Sequence, residues 1–258
     1  MARRVPEGPP PPPTVQRLRV RYAKRGRLRF TSHRDFARAF ERALRRAEIP
    51  MAYSAGFSPH PKISYVGAAP TGVASEAEYL EIGLARASEP ETVRAAIDAV
   101  LPDGLDIVEV VVAGPGSLAE RMAASWWRIE LPGVGTATLR AAIEIFLSRN
   151  EIGVERMTKN GRRVLDARSP VLRMDVAGGT DAASGAGSEV RAILEVVVRQ
   201  VTPTVRPDDV IAALRDVAGL APTGPPVAAR LAQGPLDDAG EITDPLVDDR
   251  SNPTTTSP

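Results

Sequence analysis

The chain contains no cysteine, so a disulfide framework, a thiol nucleophile, a cysteine-ligated zinc and a cysteine-held iron–sulfur cluster are all excluded within it. Histidine is scarce too. Only His33 and His60 are present, which is thin for a metal site, and no metal or cofactor is expected. Lysine is confined to Lys24, Lys62 and Lys159, so 30 of the 33 basic residues are arginine and an arginine at any one position carries little information. No apolar run approaches the roughly 20 residues of a membrane span, and the N-terminal arginines lead into prolines rather than an apolar leader. A cytoplasmic protein without a membrane partner is expected.

What is present is ordinary globular material, 258 residues with 43% hydrophobic and 25% charged, enough for two units of roughly 100 residues. The net charge of +1 conceals a polarity. Residues 1–65 hold 15 basic and 4 acidic side chains, net +11, while residues 66–258 are net −10. A basic first part on a near-neutral chain points to a polyanion.

Flexible stretches frame the chain. Residues 1–15, with prolines at 6 and 9–13, read as a solvated polyproline arm, residues 233–258 as a disordered acidic tail, and the Gly-Ser-Ala stretch 178–188 as a mobile loop. Between them the periodicity alternates. Residues 17–22 have period two and turn at 23–26 into 28–30, predicting a hairpin. Ser32 and Asp35 open a helix to about residue 47, and Ser88 with Glu91 opens another to about 100. Strands are expected at 63–66, 78–84 and 105–112. The second half repeats the rhythm, with strands at 126–131, 171–176 and 190–201, a hairpin across 154–166, and helices at 136–147 and 207–217. These patterns predict an α+β protein of two tandem ferredoxin-like units with antiparallel sheets, at 16–114 and 125–232.

The first helix segregates its residues. At 100° per residue Phe36, Phe40, Ala43, Leu44 and Ala47 share one sector, while Arg34, Arg38, Arg42 and Arg45 span about 80° of the opposite one. That face is either a solvated cationic surface or a phosphate-binding one, since guanidinium forks suit phosphates. Eight of the eleven aromatics fall between Tyr22 and Tyr79, the composition of a single-strand binder, although Phe36 and Phe40 belong to the core. The segment 53–62, Tyr-Ser-Ala-Gly-Phe-Ser-Pro-His-Pro-Lys, is stiffened by two prolines and given a positive-φ option by Gly56. It presents Phe57, His60 and Lys62, where His60 either meets a phosphate or pins the loop.

Arg27 to Asp35, Arg42 to Pro50, Tyr53 to Ser64 and Gly72 to Leu80 together form an ordered motif set. The set resembles the radical SAM-associated family also called DUF2344, densely over residues 17–84 and more loosely to about 231. One departure is Arg34, where the family usually has an apolar residue after the Ser-His pair. The resemblance implies a stand-alone module serving a radical SAM enzyme in trans, because a chain without cysteine holds no radical SAM cluster. It supplies no reaction.

Two functions compete. One is a non-catalytic accessory module that binds RNA or another phosphate-bearing substrate through Ser32, His33, Arg38, Arg42, Arg45, Arg46, Gly56, Phe57, His60 and Lys62. The other is a metal-independent endoribonuclease in which His33 and His60 share the acid and base roles about 10 Å apart. A purely structural scaffold is the third possibility.

Overall fold

The computed structural model describes residues 11–158, 161–181 and 190–251, and the chain divides into two compact units, Met1–Arg121 with Pro245–Pro258, and Met122–Asp244. Both are built from α-helices and antiparallel strands, so the α+β expectation holds. Among the described residues no helix is long and apolar enough to cross a membrane.

In the first unit β1 (Gln16–Lys24) leads to α1 (His33–Arg46), β2 (Ile63–Val66), β3 (Ala74–Leu84), α2 (Pro90–Asp98) and β4 (Leu105–Val112). Its strands lie in the order β4-β1-β3-β2, with Val20 opposite Leu80 and Val110, and Tyr65 also opposite Leu80. Period two puts Leu18, Val20 and Tyr22 on one face of β1, where they meet Phe36, Phe40 and Leu44 of α1 in a common core with Ile82, Ile97 and Ile107. The expected hairpin between 17–22 and 28–30 does not form. Residues Gly26–Phe30 make a 3-10 turn with nothing buried, and both edges of β1 are taken by the longer strands β3 and β4.

Helix α1 begins as read. Ser32 Oγ accepts from the Asp35 amide at 3.2 Å and donates to the Asp35 carboxylate at 2.6 Å. It ends with the Ile49 amide bonded to the Leu44 carbonyl at 3.0 Å, which places Glu48 in the left-handed region at φ +53°. A side chain there costs about 1 kcal/mol relative to glycine. Glu48→Gly is therefore expected to raise the thermal midpoint by about 2–4 °C, to be read by calorimetry; an unchanged or lower midpoint would show that the strain is offset. The second helix is capped by Glu89, whose carboxylate accepts from the Thr92 amide at 2.8 Å, rather than by Ser88.

The second unit runs β5 (Ala124–Pro132), α3 (Thr136–Leu147), β6 (Gly153–Thr158), β7 (Gly161–Asp166), β8 (Val171–Thr180), β9 (Arg191–Arg199), α4 (Pro207–Ala218) and β10 (Val227–Gly234). Its sheet has the order β10-β5-β9-β8, while β6 and β7 pair only with each other. Helix α3 packs against α4, β8 and β9, and α4 against β6. Strand β10 was not expected from the sequence, because its alanines and Arg230 blur the alternation. Of the flexible-loop reading at 178–188, residues 178–180 complete β8 and the rest from 182 lie outside the described residues.

The acidic tail expectation needs correction. Residues 233 and 234 end β10, Leu236 bridges Ile242, and α5 (Val247–Arg250) returns to the first unit with Leu246 fully buried. Composition misled because one contact does the ordering. Asp249, fully buried, takes Arg19 Nη1 at 2.7 Å and 2.9 Å, Arg121 Nη1 at 2.9 Å and the Gly114 amide at 2.9 Å. Arg19 Nη2 donates to the carbonyls of Gly114 and Gly116 at 3.2 Å and 2.6 Å, so every charge in the cluster is answered. Arg19, which alternates with Leu18 and Val20 along β1, is buried as well, because α5 brings Asp249 onto it. Residues 1–10 and 252–258, the outer parts of the predicted arm and tail, lie outside the described residues.

Candidate functional site

The cationic face predicted for α1 is present. Arg34, Arg38, Arg42, Arg45 and Arg46 are exposed, opposite the buried Phe36, Phe40, Ala43 and Leu44. Arg45 approaches Glu41 at 4.0 Å, whereas Arg34, Arg38, Arg42 and Arg46 have no acidic partner among the described residues. Elsewhere in the unit the pattern is mixed, and Arg21, Arg27, Arg29 and Arg86 have no carboxylate within ion-pair distance among the described residues. Arg17, Arg19, Arg25, Arg94, Arg121 and Arg250 each face a carboxylate. The α1 face is thus a run of neighbouring guanidiniums, four of them without an acidic partner among the described residues.

The segment after α1 forms a loop closed at its base. Tyr53 bridges Pro61, the Ser54 amide donates to the His60 carbonyl at 2.9 Å, and the His60 amide donates to Ser54 Oγ at 3.1 Å. The Lys62 amide bonds the Ala52 carbonyl at 2.8 Å, and Lys62 Nζ donates to Thr14 Oγ1 at 2.8 Å. Gly56, at φ +130°, occupies backbone space that only glycine reaches without strain. The tip projects Phe57, 69% exposed, into solvent. It is the main chain of His60 that fixes this loop, and its imidazole has no hydrogen-bond partner among the described residues. A second exposed aromatic, Phe30, is 60% exposed just before α1, with the Arg29 guanidinium 4.8 Å from its ring centre.

His33 is the first residue of α1 and packs edge-on against Tyr65 of β2, with ring centres 4.8 Å apart. The Tyr65 hydroxyl is buried without a hydrogen-bond partner among the described residues, and burial together with the nearby Glu41 carboxylate pushes the phenol well above its ordinary range, so it stays protonated. The sequence had no signal for this packing beyond the period-two position of Tyr65. His60 lies five residues before Tyr65 along an extended run, about 16 Å of backbone at 3.3 Å per residue. Tyr65, not His60, is the ring neighbour of His33 among the described residues.

Lys62 also lines a cavity of about 400 Å³ with Thr14, Arg17, Ser64 and Glu81. Glu81 ion-pairs with Arg17 and Arg19, so this cavity holds a carboxylate among its cations and differs in that from the open face of α1.

No curated protein matches the chain. Among solved structures it is similar to the crystal structure of an unknown protein from Galdieria sulphuraria, at 12% identity over 83% of this chain and 98% of that one, with a TM-score of 0.24. The family model described as an uncharacterized protein conserved in bacteria, DUF2344, matches residues 17–207, a span that takes in α1, the Phe57 loop and most of the second unit, and the chain belongs to that family.

Proposed function

We propose that this chain is a non-catalytic accessory module that binds RNA through the arginine face of α1 and the loop bearing Phe57, His60 and Lys62, and presents it to a partner enzyme. The observation that carries the reading is the run Arg34, Arg38, Arg42 and Arg46, exposed and without acidic partners among the described residues. Phosphodiesters would supply the missing counter-charge, and exposed Phe57 and Phe30 offer faces on which unpaired bases stack at about 1–3 kcal/mol each. Ser32 and His33 sit where the chain enters that face, and Arg45 adds charge beside it.

The order β1-α1-β2-β3-α2-β4 with sheet order β4-β1-β3-β2 supports reading the first unit as ferredoxin-like. The second unit repeats that order as β10-β5-β9-β8, with β6 and β7 inserted. The motif resemblance makes a radical SAM enzyme in trans the proposed partner, and the cytoplasm the proposed location.

Incubating the purified chain with labelled single-stranded RNA in chelator tests the module against the endoribonuclease. Retention with intact RNA is expected. Metal-independent cleavage that disappears in both His33→Ala and His60→Ala would replace the module with the enzyme.

A further inference from the structure

A second cationic feature belongs to the second unit. Strands β6 and β7 form a hairpin in which Arg156 stands directly opposite Arg163, and Val154 opposite Leu165. Alternation puts all four on one face of the hairpin, where Val154 and Leu165 are buried and the two arginines continue toward the hairpin tip. Like charges directly opposite one another destabilise an antiparallel pair, so this placement is costly unless an anion joins them. Arg206, at the start of α4, lines the same cavity, which has a volume of about 400 Å³ and is completed by Met157, Leu165, Pro203 and Thr204.

The three arginines are not equivalent. Arg156 is held in place, donating to the Thr204 carbonyl at 2.8 Å and lying 3.4 Å from the Asp209 carboxylate. The Arg163 and Arg206 side chains have no acidic partner within ion-pair distance among the described residues. Three guanidiniums against the single carboxylate of Asp209 leave the cavity with a net charge of +2. Its remaining walls are Met157, Leu165 and Pro203, which are apolar, and Thr204.

The geometry points to a binding site for a phosphate monoester carried on a nucleotide. A monoester is close to a dianion at neutral pH and offers three acceptor oxygens, which matches a charge of +2 delivered by forked donors. A phosphodiester carries one charge and continues in both directions, whereas this cavity has the volume of a small-ligand pocket. The apolar walls would take the sugar or base. A free nucleotide and the 5′ end of an RNA present the same chemistry. The site is independent of the α1 reading.

Titration calorimetry on the full chain decides the matter, with AMP, adenosine, and one short RNA in 5′-phosphorylated and 5′-hydroxyl forms as probes. AMP or the 5′-phosphorylated RNA is expected to bind at least ~10-fold more tightly than its unphosphorylated counterpart, and Arg163→Gln and Arg206→Gln are each expected to remove about 10-fold of that affinity. Both positions are exposed, so the thermal midpoint should stay within about 1 °C of the parent. In the chain with the α1 arginines reversed, affinity for the phosphorylated RNA well above that for AMP identifies the RNA end as the source, and affinity no higher than for AMP identifies the free nucleotide. Persistence of the phosphate preference when the arginines of α1 are reversed confirms that the two faces are separate. Absence of any phosphate preference, or a preference untouched by the Arg163→Gln, Arg206→Gln double change, overturns the assignment.

Discussion

Replacing Asp249 with alanine is expected to destabilise the first unit by about 3–5 kcal/mol, because it strands a buried charge rather than merely deleting a contact. The Arg19 side chain is 1% exposed and loses both of its bonds to Asp249 at once, and Arg121 loses the same partner. For a chain of this size the midpoint should fall by about 6–20 °C. Trp126 and Trp127 both belong to the second unit, so tryptophan fluorescence reports that unit while far-ultraviolet circular dichroism reports both. The two transitions should separate in Asp249→Ala, the dichroism moving first. Arg19→Met combined with Asp249→Leu removes both charges and should recover a large part of the loss, since well-packed apolar replacements of buried pairs are often neutral. A single coincident transition within 1 °C of the parent would show that Asp249 does not hold α5 in place.

Charge reversal on α1 should have the largest effect on binding. Arg38, Arg42 and Arg46 are exposed and have no acidic partner among the described residues, so changing all three to glutamate removes three potential phosphate contacts without breaking an ion pair seen there. Each contact with single-stranded nucleic acid contributes about 0.7 to the slope of log affinity against log salt. The triple variant is expected to flatten that slope by about 2 and to lose roughly 10²-fold or more in affinity at 50 mM salt. Folding should survive, because Phe36, Phe40, Ala43 and Leu44 are untouched and glutamate is a good helix former. A slope and affinity equal to the parent's would make the arginine face a solvated surface and nothing more.

Much of this architecture is legible locally, and the exceptions share a cause. Residues 105–112 and 136–147 read correctly to the residue as β4 and α3, because their apolar periods are strong and their ends are marked. The arginine face of α1 followed from the same projection that placed Phe36 and Phe40 inside. What local reading misses is any element ordered by a distant partner. Asp249 lies 230 residues from Arg19, and nothing in the polar composition around it signals a buried carboxylate. Tyr65 beneath His33, and Arg156 facing Arg163 across a hairpin beside Arg206, depend likewise on how strands are placed against helices. The two histidines illustrate the limit most directly: both are visible in the motifs, but their separation is set by the path of the chain through Pro61 to Tyr65.

The position of Asp249 also has a consequence for the order in which the protein is made. Arg121 and Asp249 are 128 residues apart, and the whole second unit is encoded between them. At about 5–20 residues per second a ribosome takes roughly 6–25 s to cross that interval. Throughout it the first unit has all its strands but lacks the buried carboxylate that Arg19 and Arg121 share, leaving Arg19 with Glu81 as its acid, while the second unit is acquiring everything it needs. The first unit is therefore completed only after the second, and Arg19 and Arg121 wait for their shared carboxylate until α5 leaves the ribosome.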